Sequence, residues 1–225
     1  MKKCLVVCLF LVQLGLCGFT TTWEQYKAET LPHLRLIEGW CTPEKADKMM
    51  DLIYETHPQI CVEIGVFGGS SIFPTAKALK YLGKGVVFAI DPWQNEECVK
   101  GYSPSNPNFR WWYEAPLPDI YQHFLNNLQR YDLFAYCPIL RMTSAWAVQL
   151  FSDESIDILH IDGNHTEEAA LEDATLYLPK VKKGGYIWFD DIDWESTKKA
   201  GQYLKEHCRL DQTRSTKSYA LFQKN

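Results

Sequence analysis

Apolar residues along this chain come in two rhythms, and the alternation between them lays out the fold. Short, predominantly apolar runs fall at 60–64, 85–91, 138–142, 156–161 and 186–189. They are too short for helices and show no alternation, as in strands buried on both faces. Between them lie segments with apolar residues three and four apart, at 42–57, 70–82, 118–130, 144–151, 167–178 and 196–207, which predict helices. The first of these opens on Thr42 with Pro43 behind it, carries Ala46, Met49, Met50 and Ile53, and stops at His57-Pro58. Two last strands are expected at 210–214 and 219–223. Strand and helix alternate throughout, which predicts an α/β fold: a doubly wound, mostly parallel seven-stranded sheet with helices on both faces.

Three stretches fall outside this rhythm. In residues 1–20, Lys2 and Lys3 precede an apolar run from Leu5 to Leu16 and then small and polar residues, the layout of a secretory signal peptide. The run is too short for a spanning helix, so the expectation is export, or membrane association through this leader alone. The alternative is a cytoplasmic protein with an apolar N-terminal helix packed on its domain. Residues 22–41 read as a polar and aromatic approach segment. Residues 92–117 carry Trp93, Tyr102, Phe109, Trp111, Trp112 and Tyr113 among prolines, asparagines and charges. They leave the end of the second strand, the edge where such sheets bind ligands, and read as a structureless lid or substrate wall. A single domain over 21–225 with this insertion is the economical organisation.

Composition narrows the function. A net charge of −5 without a run of Lys and Arg excludes a nucleic-acid partner. Outside the leader the cysteines are Cys41, Cys61, Cys98, Cys137 and Cys208, an odd set without a CxxC pair, hence neither a disulfide framework nor a zinc site. The chain carries no signature of a particular oligomeric state.

The chemistry gathers at the strand ends. From Gln59 to Ile72 a buried strand runs into a turn with Gly65, Gly68 and Gly69 and then into a helix, a layout that brings backbone close to a nucleotide-like ligand. Glu63 in that strand disfavours a pyrophosphate and suits a cationic amino group. Asp91, closing the second strand, can accept from two ribose hydroxyls. Thr143 and Ser144 fall where an adenine edge would lie, with Trp146 as a stacking face, though Ser144 equally caps its own helix. Asp162, Asp190 and Asp191 end two neighbouring strands, and three carboxylates so close call for a cation, with Mg²⁺ as the candidate. His165, in the same loop as Asp162, is placed to remove a proton from a substrate hydroxyl.

Glu63-Ile64-Gly65-Val66-Phe67-Gly68-Gly69-Ser70, Asp91, Ile161-Asp162-Gly163-Asn164-His165 and the segment from Gly184-Gly185 to Asp190-Asp191 together resemble class I S-adenosylmethionine-dependent methyltransferases, in the branch of macrocin O-methyltransferases and cephalosporin-hydroxylase-like proteins. The likeness spans roughly residues 58–194. It implies that Glu63, Gly65, Phe67, Gly69, Ser70, Asp91, Ser144 and Asp162 bind S-adenosylmethionine. By the same resemblance Asp162, Asp190 and Asp191 would hold Mg²⁺; Asp162 and His165 are the catalytic candidates by their place at the strand ends, and an acidic, aromatic-lined site suits a small hydroxylated methyl acceptor. Two other classes stay open: a non-catalytic cofactor-binding module of the same fold, and a nicotinamide-dependent oxidoreductase, against which Glu63 and the lack of a Tyr-x-x-x-Lys pair count.

Overall fold

The computed structural model describes residues 21–225, so the leader expected over 1–20 lies outside the described residues. Strands β1 (Ile60–Ile64), β2 (Val86–Ile90), β3 (Ile139–Leu140), β4 (Ile156–Ile161), β5 (Val181–Asp190), β6 (Cys208–Asp211) and β7 (Tyr219–Lys224) form one sheet in the order β3-β2-β1-β4-β5-β7-β6. The first five are mutually parallel, while β7 runs antiparallel to both β5 and β6. The chain moves outward one way from β1 and the other way from β4. Those two central neighbours therefore flank the crevice where a doubly wound sheet takes its ligand.

Strand alternation sends side chains to two different cores. Cys61, Ile158, Trp188 and Leu221 face α1 (Trp23–Thr30), α2 (Pro43–Thr56), α3 (Ile72–Leu82) and, past two short helices introduced below, α6 (Leu117–Arg130). Val62, Leu159, Ile187 and Phe222 face α7 (Ser144–Ala147), α8 (Glu167–Tyr177) and α9 (Lys198–His207). Buried on both faces, the central strands read as predominantly apolar runs, interrupted at Glu63 and His160.

The departures from expectation have local causes. Helix α1 forms where an approach segment was expected: Thr22 and Gln25 make a reciprocal capping box, and Trp23 stacks on Tyr54 at 4.5 Å while its indole N–H donates to Asp51. The aromatic stretch is not structureless, since it folds into α4 (Asn95–Cys98) and α5 (Pro107–Glu114). Asn106 caps α5 by accepting from the Asn108 N–H, with Pro107 at the first helical position. The helix expected over 144–151 is α7 followed by a 3₁₀ turn, Val148–Leu150. Strand β5 starts at Val181 rather than near 186, because an irregularity through Gly184 shifts the register so that Val181 pairs with Ile156 and Tyr186 with Ile158. Among the described residues no helix is long and apolar enough to cross a membrane.

Candidate active site

The glycine turn rests directly on the exit of β4. Gly65 has φ +83°, and a Cβ there would lie 2.0 Å from the Asp162 carbonyl oxygen, so only hydrogen fits. The Asp162 N–H in turn donates to the Ile64 carbonyl at 2.9 Å. Phe67 takes φ +51° without being glycine, and Asp91 holds it there. Asp91 Oδ2 accepts the N–H groups of Val66 and Phe67, both at 3.0 Å, and Oδ1 accepts the Trp93 N–H at 2.7 Å. The Trp93 indole N–H closes the loop by donating to the Phe67 carbonyl at 2.8 Å. Asp91 therefore fastens the turn, a task the sequence did not announce. Burial raises its carboxyl above the ordinary range despite these donors.

Three adjacent strands contribute one ionisable residue each to a single row. Glu63, His160 and Asp190 alternate onto the face covered by α2, and β1–β4 register sets Glu63 beside His160. His160 Nδ1 stands 2.9 Å from Glu63 Oε2, and its Nε2–H donates to Asp190 Oδ2 at 2.6 Å. The Ser71 hydroxyl donates to Glu63 Oε1 at 2.7 Å, and the Lys45 ammonium donates to Asp190 Oδ2. All of Lys45, Glu63, His160 and Asp190 are buried. Burial alone would pull the His160 imidazole down, but the Glu63 and Asp190 charges prevail and raise it to about 9. Burial likewise pushes the Asp190 carboxyl up, and Lys45 and His160 hold it well below the usual range instead. Glu63 thus meets a cation, as its place in the turn suggested, and within the protein that cation is His160. Lys45, His160 and Ser71 were not singled out from the sequence. A lysine in the first turn of a helix and a serine after a glycine pair are ordinary features there.

The second group lies at the crevice mouth. His165 Nε2 stands 2.6 Å from Asp191 Oδ2 and 3.7 Å from Asp162 Oδ1, and its ring packs on Trp194 at 4.9 Å between centroids. Burial lowers the His165 pKa, but the hydrogen bond to Asp191 and the nearby carboxylates raise it on balance. The Asp162 carboxyl, with 28% of its side chain still open, is pushed up by burial and by the charge of Asp190. Two sets of possible metal ligands converge: His160 with Asp162 and Asp190, and Asp162 with His165 and Asp191. The expected triad of Asp162, Asp190 and Asp191 is split between them. Successive residues of a strand end point to opposite sides, and Asp190 turns inward to Lys45 while Asp191, at φ +50°, turns to His165.

The remaining expected cofactor residues occupy varied surroundings. Gly69, at φ +93°, lies against the Phe124 ring. The Ser70 hydroxyl oxygen accepts the Cys41 N–H at 3.2 Å and so braces the entry to α2. Ser144 opens α7, and its carbonyl accepts from the Tyr177 hydroxyl at 2.8 Å; burial raises the nearby Asp173 carboxyl to about 7. Trp146 is 69% exposed. Asn164 donates to the carbonyls of Cys98 and Lys100, at 3.2 and 2.9 Å, which ties the aromatic segment to the His165 loop. On the turn's outer side Trp40, Phe67, Trp111 and Trp112 form an aromatic wall, with Trp40 stacked on Phe67 at 5.0 Å and Trp111 edge-on to Trp112 at 4.7 Å.

Residues 62–192 match the family of the methyltransferase domain. The chain belongs to that family, and the class I S-adenosylmethionine-dependent methyltransferases implied by the motifs are the class it joins. A protein of Acanthamoeba polyphaga mimivirus is 56% identical over 162 residues, 71% of this chain and 58% of its own length. A protein of Sinorhizobium fredii is 27% identical over 145 residues, 64% of this chain and 14% of its own. The chain thus spans little more than half of one curated relative and a small part of the other. Among solved structures, the O-methyltransferase NovP superposes with a TM-score of 0.64 at 16% identity, covering 82% of this chain and 81% of that one. The SAH-bound methyltransferase PaMTH1 of Podospora anserina gives 0.62 at 11% identity, with 89% and 88% covered. An O-methyltransferase of Bacillus cereus in complex with SAH gives 0.58 at 14% identity, with 88% and 89% covered. At these identities the likeness is one of fold.

Proposed function

We propose that this chain transfers the methyl group of S-adenosylmethionine to an oxygen of a small hydroxylated acceptor. The observation that carries this reading is the contact of the glycine turn with the Asp162–His165 loop across the central crevice, which sets a cofactor-shaped turn against a histidine base. The turn from Gly65 to Gly69, Asp91 and the Ser144 region would hold the cofactor, with Asp162 at the junction. When bound, S-adenosylmethionine supplies the electrophilic methyl carbon. The protein's part is to hold an acceptor oxygen in line with that carbon and to remove its proton.

His165 suits that second task. Asp191 is an acceptor only, so the hydrogen bond between them keeps the His165 proton on Nε2 and leaves the Nδ1 lone pair for a substrate hydroxyl. Asp191 is the positioning residue and strengthens the base. The aromatic wall and Trp194 offer flat apolar surface for the acceptor body and exclude water. Mg²⁺ on Asp162, Asp190 and Asp191 does not fit these residues, because Asp190 is already engaged by Lys45 and His160, and no step is assigned to it. The macrocin-like branch and an exported location rest on the motif residues and the leader.

Titration calorimetry of the chain with S-adenosylmethionine and with S-adenosylhomocysteine tests the cofactor. Micromolar binding of both is expected, and binding of neither would remove the reading. Asp162→Ala should abolish turnover while cofactor binding survives; loss of binding instead would make Asp162 structural. Because His165 must be neutral to act and its pKa is raised, the acid limb of the rate profile should lie above the ordinary histidine value. That limb should vanish in His165→Ala, with activity down about 10²–10⁴-fold.

A further inference from the structure

We propose that Lys45 is the resident cation of the acidic cluster at the ends of β4 and β5, so that the site takes no Mg²⁺ or similar hard divalent ion. This rests on the proposed methyl transfer for its consequence, a metal-independent reaction, while the place of the cation is read from the side chains themselves.

Each oxygen of a carboxylate has two lone pairs. On Asp190 Oδ2 one receives the His160 Nε2–H and the other a Lys45 N–H. A metal ion using that oxygen would have to displace a hydrogen bond from a buried cation. The set of His160, Asp162 and Asp190 is closed for a second reason: both nitrogens of His160 face carboxylates, Nδ1 towards Glu63 and Nε2 towards Asp190. Nε2 is the nitrogen turned to Asp190, and since it donates to that acceptor-only group it carries a proton in place of the lone pair a metal would need. The other set, Asp162 with His165 and Asp191, offers a nitrogen among its ligands, whereas Mg²⁺ prefers oxygen alone, and its histidine is bonded directly to its aspartate.

Lys45 is delivered to this place by construction. Thr42 caps α2 by accepting the Lys45 N–H at 3.2 Å, and Pro43 sets the first turn, so the lysine leaves the third helical position already aimed at the sheet. The side chain is only 8% exposed, and its charge is balanced by Asp190 and, at longer range, by Asp162. A lysine so deeply buried needs carboxylate company, and this cluster provides it. One ammonium then does for the paired acids what an ion would otherwise do, without an exchange equilibrium with solvent.

Electron paramagnetic resonance of Mn²⁺ with the full chain tests this independently of methyl transfer. Wild type and Lys45→Arg should leave the free Mn²⁺ signal undiminished at millimolar ion. Lys45→Met should take up one Mn²⁺ at least about tenfold more tightly than wild type, as removal of a fixed positive charge demands, and a second change, Asp190→Asn, should abolish that site. A saturable Mn²⁺ site in wild type that Asp162→Asn removes would overturn the proposal, whichever ligand set holds it. So would a folded Lys45→Met protein, checked by circular dichroism, that takes up none. If Lys45→Met fails to fold, the wild-type and Lys45→Arg arms still decide. Calorimetry with S-adenosylmethionine, run alongside, reports separately on the cofactor: its failure with Mn²⁺ excluded would sink the methyltransferase reading and leave Lys45 in place.

Discussion

His160 is the residue on which the interior charge balance turns. It stands between Glu63 and Asp190 in a region with almost no solvent, and its raised pKa means that folding binds a proton there. The contribution to stability is complete below the unfolded value of 6.5 and fades as pH rises towards about 9. Urea unfolding of the wild type should therefore weaken across that window by roughly 1 kcal/mol per pH unit. His160→Gln, which cannot titrate, should lose stability at pH 6 and show a flatter profile; an equally steep profile would place the titrating group elsewhere. Asp91 illustrates another residue-scale lesson. From its position after a strand it reads as a ribose acceptor, yet in the fold its oxygens tie down three backbone N–H groups of the turn and its neighbour.

At the scale of elements, the unit that matters is β1, the glycine turn and α3 seated against the β4 exit. Gly65→Ala would drive a methyl group into the Asp162 carbonyl and impose a left-handed backbone on alanine. The conformational part alone costs about 1–3 kcal/mol, and the displacement would move the turn from the His165 loop. Loss of S-adenosylmethionine binding by more than about tenfold, with a lowered melting temperature, is expected; unchanged calorimetry would separate the turn from the ligand. These elements were readable because periodicity reports burial. Ile60–Ile64 and Val86–Ile90 were found nearly residue for residue, since both their faces are covered. Helix α1 escaped because its apolar face is slight, and α4 and α5 because none of their residues is buried; caps and tertiary contacts decide them instead.

Over the whole molecule, the crevice is bounded by parts far apart in sequence: Trp40 before α2, Phe67 in the turn, Trp111 in the aromatic segment and Trp194 after β5. Trp111 is 46% exposed, so its removal leaves the core intact. Trp111→Ala should change stability by less than about 0.5 kcal/mol and leave cofactor affinity unaltered, while raising KM for the acceptor. Steady-state kinetics with an identified acceptor checks this, and a fall in kcat with constant KM would make the wall part of catalysis rather than of binding. What the amino-acid pattern determined by itself was the alternation of buried strands and helices, the glycine turn and the family it signals, because burial period and backbone freedom are local properties. The tertiary structure alone decided the partners of the charged groups. Glu63, His160 and Asp190 come together through strand register, and Lys45 reaches Asp190 across 145 residues of chain. No local pattern encodes such a meeting. It follows from which face each strand turns to the helix above, and that sets Lys45 against Asp190.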